Sequence, residues 1–208
     1  MGYDMHMVRT PDGEEERFGA ARREFDEAVA ARDALYLPPG DPEYKAAQEK
    51  VSAAYDAMYE AHTSYFRLSI WSMRECRAIM HHFGMLLETT TPPEAPSLEA
   101  YGISPDEYHD SLGTSGELPE PIGRFQEAMN AYLAWVPAPV NGVAVHKLMS
   151  NSGWIVTAEE IRAALAAYEA SRGKDPAFLS QLVEEASWWP QWVAYLTAAA
   201  DHGGFRVY

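Results

Sequence analysis

Two segments of the sequence place polar side chains on one face of a predicted β-strand. In YDMHMV, near the N-terminus, Asp4 and His6 alternate with Tyr3, Met5 and Met7. In YFRLSIW, Arg67 and Ser69 alternate with Phe66, Leu68 and Ile70 and are framed by Tyr65 and Trp71. Alternation with period two separates the two faces of a strand. Each polar set is therefore expected to leave one face of a sheet.

These side chains could form an anion-binding pocket if the two strands are neighbours. His146 is predicted in a further strand, and the pocket would then hold His6, Arg67, Ser69 and His146. Arg67 would contact the anion, because a planar guanidinium suits carboxylate or phosphate. The alternative is that Arg67 pairs with Asp4 across neighbouring strands and that the face is solvated.

The remaining residues give little support for metal or nucleophilic chemistry. His81 and His82 are adjacent on a predicted helix, so their side chains diverge by about 100°. No HExxH, GxSxG, GxGxxG or P-loop pattern occurs in the chain. Cys76 is the only cysteine and lies on an apolar helical stripe, where a buried structural role is the usual one. We therefore expect no metal and no cofactor, and the sequence leans away from an enzyme.

The polar segments are connected by elements that the sequence predicts clearly. Helices are expected over 14–35 and 42–62, separated by LPPG, and they predict an antiparallel helical hairpin between the first two strands. The strand at 65–71 leads into a helix that ends at Gly84. The pattern SMRE at 72–75 predicts the capping box of that helix.

The second half of the chain alternates helices with shorter strands. Residues 88–120 are rich in Pro and Gly and predict a long loop, which is either a functional cover or a flexible insertion, with a short helix capped by Ser104. The other predicted elements are helices at 121–136, 157–173 and 175–201, a hairpin of strands 143–148 and 154–156, and a closing strand at 205–208. The helix at 157–173 is expected to open with a capping box at Thr157, and the helix at 175–201 is expected to be interrupted at Trp189-Pro190. Together they predict an α+β fold in a single domain, 1–208. One mixed, mainly antiparallel sheet of about five strands is covered by six or seven helices.

Trp189 is a candidate partner-binding residue. Helical spacing places Trp188, Trp192 and Tyr195 on one face, where they are expected to pack in the core, and Trp189 points elsewhere. If Trp189 is exposed, it would mark a partner surface. The alternative is that it too packs in the core.

Composition limits the classes of partner. Sixteen basic and thirty-one acidic residues give a formal net charge of −15. Nucleic-acid binding requires clustered positive charge, so it is not expected. The N-terminal segment lacks an apolar stretch of signal-peptide length, and no run is long enough to span a membrane. These features predict a cytoplasmic protein.

Four segments carry a resemblance to a known group. The opening MGYDMH, the strand YFRLSIW, the turn NSGWIVT and the closing DHGGF resemble those of uncharacterised bacterial hypothetical proteins of actinobacterial type. The resemblance covers about a quarter of the chain as scattered segments. It implies a shared fold and no activity.

Two functional hypotheses follow. The first is a non-enzymatic acidic binding protein, of inhibitor, immunity or accessory type, that engages a basic partner. The second is a small-molecule enzyme or ligand-binding domain that uses the His6/Arg67/His146 face under the 88–120 loop. The sequence favours the first, because it contains no catalytic motif.

Overall fold

The computed structural model describes residues 2–88, 91–112 and 118–208. Within them the chain forms eight α-helices, which are α1 (Glu14–Asp33), α2 (Pro42–Ala61), α3 (Ile70–His82), α4 (Pro105–Ser111), α5 (Glu120–Leu133), α6 (Ala158–Ser171), α7 (Pro176–Glu185) and α8 (Trp189–Asp201). The strands are β1 (Gly2–Met7), β2 (Tyr65–Ser69), β3 (Leu86–Leu87), β4 (Val143–Ala144), β5 (Ile155–Thr157) and β6 (Gly204–Val207). Two 3₁₀ turns span Glu99–Tyr101 and Val145–Leu148. The α+β class is confirmed.

The main sheet is antiparallel, with strand order β2-β1-β6-β5. Its inner face carries the apolar half of each alternating strand, including Met5, Phe66 and Phe205, and it packs against α3 and α8. Its outer face carries the polar half, including Asp4, His6 and Arg67. The alternation in the sequence therefore predicted both faces of β1 and β2 correctly.

The predicted hairpin of strands at 143–148 and 154–156 does not form. β4 pairs in parallel with β3 in a separate two-stranded sheet, whereas β5 pairs with β6. After Ala144 the chain turns into the 3₁₀ segment Val145–Leu148, because Lys147 is directed inward to an ion pair with Glu160. The antiparallel sheet thus has four strands, and the predicted fifth is a short strand in another sheet.

The N-terminal helical hairpin is confirmed by α1 and α2, which pack along each other. Asp41 caps α2 by accepting a hydrogen bond from the amide of Glu43, with Pro42 at the first helical position. The hairpin is inserted between β1 and β2, so the turn after α2 and the start of α1 lie beside the polar face of the sheet. This placement forms one wall of the site described next.

None of the helices in the described ranges combines the length and the apolar character that crossing a bilayer requires.

Candidate ligand-binding groove

A groove of about 480 Å³ lies between the C-terminal half of α2 and the outer face of β2. The lining consists of one residue of β1, one of α1, three of α2, one of the turn after α2 and three of β2. The lining residues are Gly2, Phe18, Tyr55, Met58, Tyr59, His62, Tyr65, Arg67 and Ser69. We refer to this site as the sheet-face groove.

Glu14 fixes the helical hairpin to the sheet beside the groove. The residue is 2% exposed, and its carboxylate accepts hydrogen bonds from the Thr63 hydroxyl at 2.6 Å, from the Ser64 amide at 2.9 Å and from the Ser64 hydroxyl. As the first residue of α1, it also lies at the positive end of that helix. A carboxylate with three donors is satisfied although it is buried. The wall of the groove is therefore held by a specific polar contact.

A row of rings forms the end of the groove nearest Glu14. The imidazole of His62 is stacked on the Tyr65 ring at 5.1 Å between centroids, and the Phe18 ring lies 4.5 Å from His62 in a tilted arrangement. The His6 ring lies 5.0 Å from Tyr65 and is exposed beside the groove. Burial lowers the pKa of His62 below the ordinary value, and this outweighs the opposing effect of Glu14. At neutral pH the row thus presents a neutral imidazole between two aromatic rings.

Asp4, Tyr65 and Arg67 form a polar cluster at the centre of the outer face. Asp4 is paired with Arg67 in the sheet register, and Arg67 Nε lies 3.6 Å from Asp4 Oδ1. The same carboxylate oxygen accepts a hydrogen bond from the Tyr65 hydroxyl. Burial, followed by the hydrogen bond to Asp4, raises the pKa of Tyr65 to about 12, so Tyr65 remains a donor at neutral pH.

The cross-strand pair of Arg67 and Asp4, considered as the alternative to a pocket, is therefore present, but it does not exclude a pocket. The Arg67 side chain is 59% exposed and lines the groove. Its guanidinium lies against the backbone of Gly2, where a Cβ would come within 3.3 Å of Arg67 Nε. Asp4 lies close enough to offset part of the positive charge of Arg67. The exposed guanidinium can still present its outer N–H groups to a carboxylate or phosphate.

On the side away from the groove, the outer face of the sheet is flanked by α5. Arg206 of β6 donates a hydrogen bond from Nη2 to Asn130 Oδ1 of α5 at 2.9 Å, and the Tyr132 ring of α5 packs on Trp154 at 4.9 Å. The polar face lies between the α1–α2 hairpin and α5, and it is concave at the hairpin side.

Ser69 lies at the edge of the groove and has a second role. It is the N-cap of α3, and its hydroxyl accepts a hydrogen bond from the Ser72 amide at 3.0 Å. The prediction that Ser72 begins the helix as part of a capping box was wrong. Ser69 pairs with Gly2, the first residue of β1, so strand pairing ends there and the helix starts at Ile70.

His146 does not belong to the groove. It lies in the 3₁₀ segment Val145–Leu148, with its ring 4.6 Å from the Trp154 ring in an edge-to-face arrangement. His146 lies away from the groove because the predicted hairpin, which would have placed it in a strand of the sheet, does not form. Of the five candidate ligand-binding residues, Arg67 and Ser69 line the groove, whereas Asp4 and His6 lie on the same face of the sheet beside it.

Trp189 is 1% exposed, so the condition for a partner surface at this residue is not met, and Trp189 packs in the core as the alternative had it. The interruption predicted at Trp189-Pro190 lies at residues 186–188, between α7 and α8. Pro190 falls in the first turn of α8, which begins at Trp189. Trp189, Trp192 and Leu196 then share one face, and all three are buried. An exposed tryptophan is found instead at Trp71, which is 76% exposed on the first turn of α3.

His62, Phe18 and Tyr59 line the groove but were not predicted as site residues. Phe18 lies near the start of α1 and His62 lies just after α2, so the two residues are far apart in sequence. Nothing in the local pattern indicates that the turn after α2 contacts the start of α1. One signal was available, because His62 and Tyr65 frame the tight connection between a predicted helix and a polar-faced strand.

Other chemistry is not favoured by the described residues. Cys76 is fully buried in the core, and burial raises the pKa of its thiol. Among the described residues, no three side chains of the metal-binding types converge on one point. The described parts of the 88–120 loop contribute no side chain to the groove lining, and residues 89–90 and 113–117 lie outside the described ranges.

Comparison of the chain with protein-family models, with curated proteins and with solved structures gives no significant match. The resemblance to bacterial hypothetical proteins therefore stays a prediction.

Proposed function

We propose that this protein binds a small molecule that combines a planar ring with a carboxylate or phosphate group, and that it does so in the sheet-face groove. The observation that carries the proposal is the exposed guanidinium of Arg67, paired with Asp4 beside a wall of aromatic rings. The ring of the ligand would pack against Tyr59 and Tyr65. Its anionic group would accept hydrogen bonds from Arg67.

The chemistry of the lining residues favours ligand binding over catalysis. The Ser69 hydroxyl is already bonded to the Ser72 amide and hydroxyl as a helix cap. The Tyr65 hydroxyl donates to Asp4. These groups hold the shape of the site, which is what a rigid binding surface requires.

Phenyl phosphate is a suitable probe, because it carries both groups in one small molecule. We expect it to shift the amide signals of Tyr59, His62 and Tyr65 in ¹H–¹⁵N NMR spectra, together with the Nε–H signal of Arg67. The Arg67→Ala variant should weaken binding roughly tenfold or more, because it removes a charge-assisted hydrogen bond. The Arg67→Lys variant should also weaken binding, because an ammonium lacks the planar fork.

Arg74→Ala is the matched control, since Arg74 is an exposed arginine on α3 outside the groove lining. It should leave the affinity for phenyl phosphate within about twofold. Equal losses in Arg67→Ala and Arg74→Ala, or shifts that map outside the groove, would contradict the proposal.

A second candidate function is that of an acidic protein engaging a basic partner. The burial of Trp189 removes the anchor that the sequence suggested, whereas the formal net charge of −15 supports this candidate. A pull-down at low and high salt would test it, because screening releases partners held by exposed charges. Recovery of the same proteins at both salt concentrations would count against it.

A further inference from the structure

The negative charge of the chain is concentrated in one segment. Residues 78–123 contain no Lys or Arg. They contain eight carboxylates, at Glu88, Glu94, Glu99, Asp106, Glu107, Asp110, Glu117 and Glu120. With histidine neutral, the segment has a net charge of −8, more than half of the −15 of the whole chain.

The described part of this segment is folded around a small core of its own. Ile103, Ile122 and Phe125 are buried together. The rings of Tyr101 and Tyr108 pack edge-to-face on Phe125 at 5.6 and 5.3 Å. The 3₁₀ turn Glu99–Tyr101 and α4 are thereby held against α5. This part of the predicted loop is a packed unit, so its surface has a defined shape.

A groove of about 470 Å³ lies between α4 and the start of α5. We call it the α4–α5 groove, and its lining residues are Gly102, Ile103, Glu107, Asp110, Ser111, Pro119, Pro121 and Ile122. Ile103 and Ile122 are buried at its base, and the prolines extend the apolar surface. Glu107 and Asp110 add two exposed carboxylates, one turn apart on α4.

The Glu107 carboxylate has a fixed position. It accepts hydrogen bonds from the Ser104 amide at 2.9 Å and from the Ser104 hydroxyl at 2.8 Å, in the capping box of α4. The same bonds lower the pKa of Glu107. A carboxylate held in place at the rim of an apolar groove is a defined contact for a cation.

We propose that the α4–α5 groove docks a basic segment of another protein, in which an aliphatic side chain is flanked by Lys or Arg. The aliphatic side chain would contact Ile103, Ile122 and the prolines, and the flanking cations would contact Glu107 and Asp110. A second copy of this chain fits less well, because each copy carries −15. The α4–α5 groove shares no lining residue with the sheet-face groove, so the inference does not depend on the proposed small-molecule function.

The test uses the full-length protein and a fluorescein-labelled peptide of sequence GKRLKRG, followed by fluorescence anisotropy. We expect binding that weakens as salt is raised, because the contacting charges are exposed. Asp110→Lys should weaken binding roughly tenfold, because charge reversal replaces an attraction by a repulsion. Asp26→Lys makes the same charge change at an exposed position on α1 and should weaken binding by less than about twofold.

A second peptide, GKRSKRG, tests the apolar base of the groove without altering the protein. It should bind several-fold more weakly than GKRLKRG, because serine cannot replace the apolar contact of leucine. Equal binding of the two peptides, or equal losses in the two protein variants, would show only diffuse attraction to an acidic surface and would overturn the proposal. No measurable binding of GKRLKRG at low salt would also overturn it. So would a concentration-dependent dimer of the protein alone that Asp110→Lys dissociates, because the groove would then bind a second copy. None of these outcomes bears on the phenyl phosphate experiment.

Discussion

Glu14 is the single residue on which the position of the α1–α2 hairpin most depends. Its exposed neighbours Glu15 and Glu16 share the same helical turn, yet only Glu14 is directed inward to Thr63 and Ser64. The sequence predicts three acidic residues at a helix N-terminus, where all three favour the helix dipole. It does not indicate which of them is buried, because that depends on the turn after α2, which is remote in sequence.

The Glu14→Ala variant should therefore lose about 2–3 kcal/mol of unfolding free energy, since it leaves the Ser64 amide buried without its acceptor. Urea denaturation would measure the loss. Glu15→Ala is the control and should change the unfolding free energy by less than about 0.5 kcal/mol. If the two variants lost similar amounts, Glu14 would act only through the helix dipole.

At the scale of elements, Glu160 connects three pieces of backbone. It is the third residue of α6 and completes a capping box with Thr157. It also accepts hydrogen bonds from the amide of Ala144 at 3.3 Å and from Lys147 Nζ at 2.7 Å. Lys147 in turn donates to the carbonyl oxygen of Ile155 at 2.8 Å, and both charged side chains are fully buried. This ion pair joins α6, β4 and the 3₁₀ segment.

Removing one charge of a buried pair leaves the other uncompensated, so Glu160→Gln should cost about 3–5 kcal/mol of unfolding free energy. Thermal and urea denaturation would both report it. The neighbouring Glu159 is exposed, and Glu159→Gln should be within about 0.5 kcal/mol of wild type. A small effect of Glu160→Gln would indicate that Lys147 can lose its proton without cost to the fold.

The elements that the sequence predicted correctly are those determined by local patterns. β1, the helical hairpin, β2 and the capping box at Thr157 all follow from alternation, helical periodicity or cap residues. The elements it missed depend on partners. Strand β2 stops at Ser69 because its neighbour begins at Gly2, and residues 145–148 leave the strand conformation because Lys147 meets Glu160. The same limit explains the site, where the pairing of Asp4 with Arg67 was considered only as the alternative to a pocket and His62 was not expected.

At the scale of the whole molecule, two histidines link stability to pH. Burial lowers the pKa of His62 and of His146 below the ordinary value of 6.5. In the unfolded chain both histidines take up protons near pH 6.5, whereas in the folded protein they do so only at lower pH. The unfolded state therefore binds more protons in this window, and stability falls as pH drops below about 6.5.

We expect the unfolding free energy, measured by urea denaturation between pH 7.5 and 5.5, to decrease on acidification. The double variant His62→Gln/His146→Gln should show a smaller decrease over the same range, because it lacks both groups. An equal slope in the wild type and the double variant would assign the pH dependence to other residues.

The burial of Cys76 limits how fast oxidants can react with its thiol. The only sulfhydryl group of the chain lies within the layer between the main sheet and α3, so reagents reach it only after those two layers separate. Covalent dimers through this sulfur, and its oxidation to a sulfenic acid, are thus limited by the opening of the core. In an oxidising environment the folded protein is therefore expected not to form intermolecular disulfides. The rate at which Cys76 is oxidised would report how often the core opens.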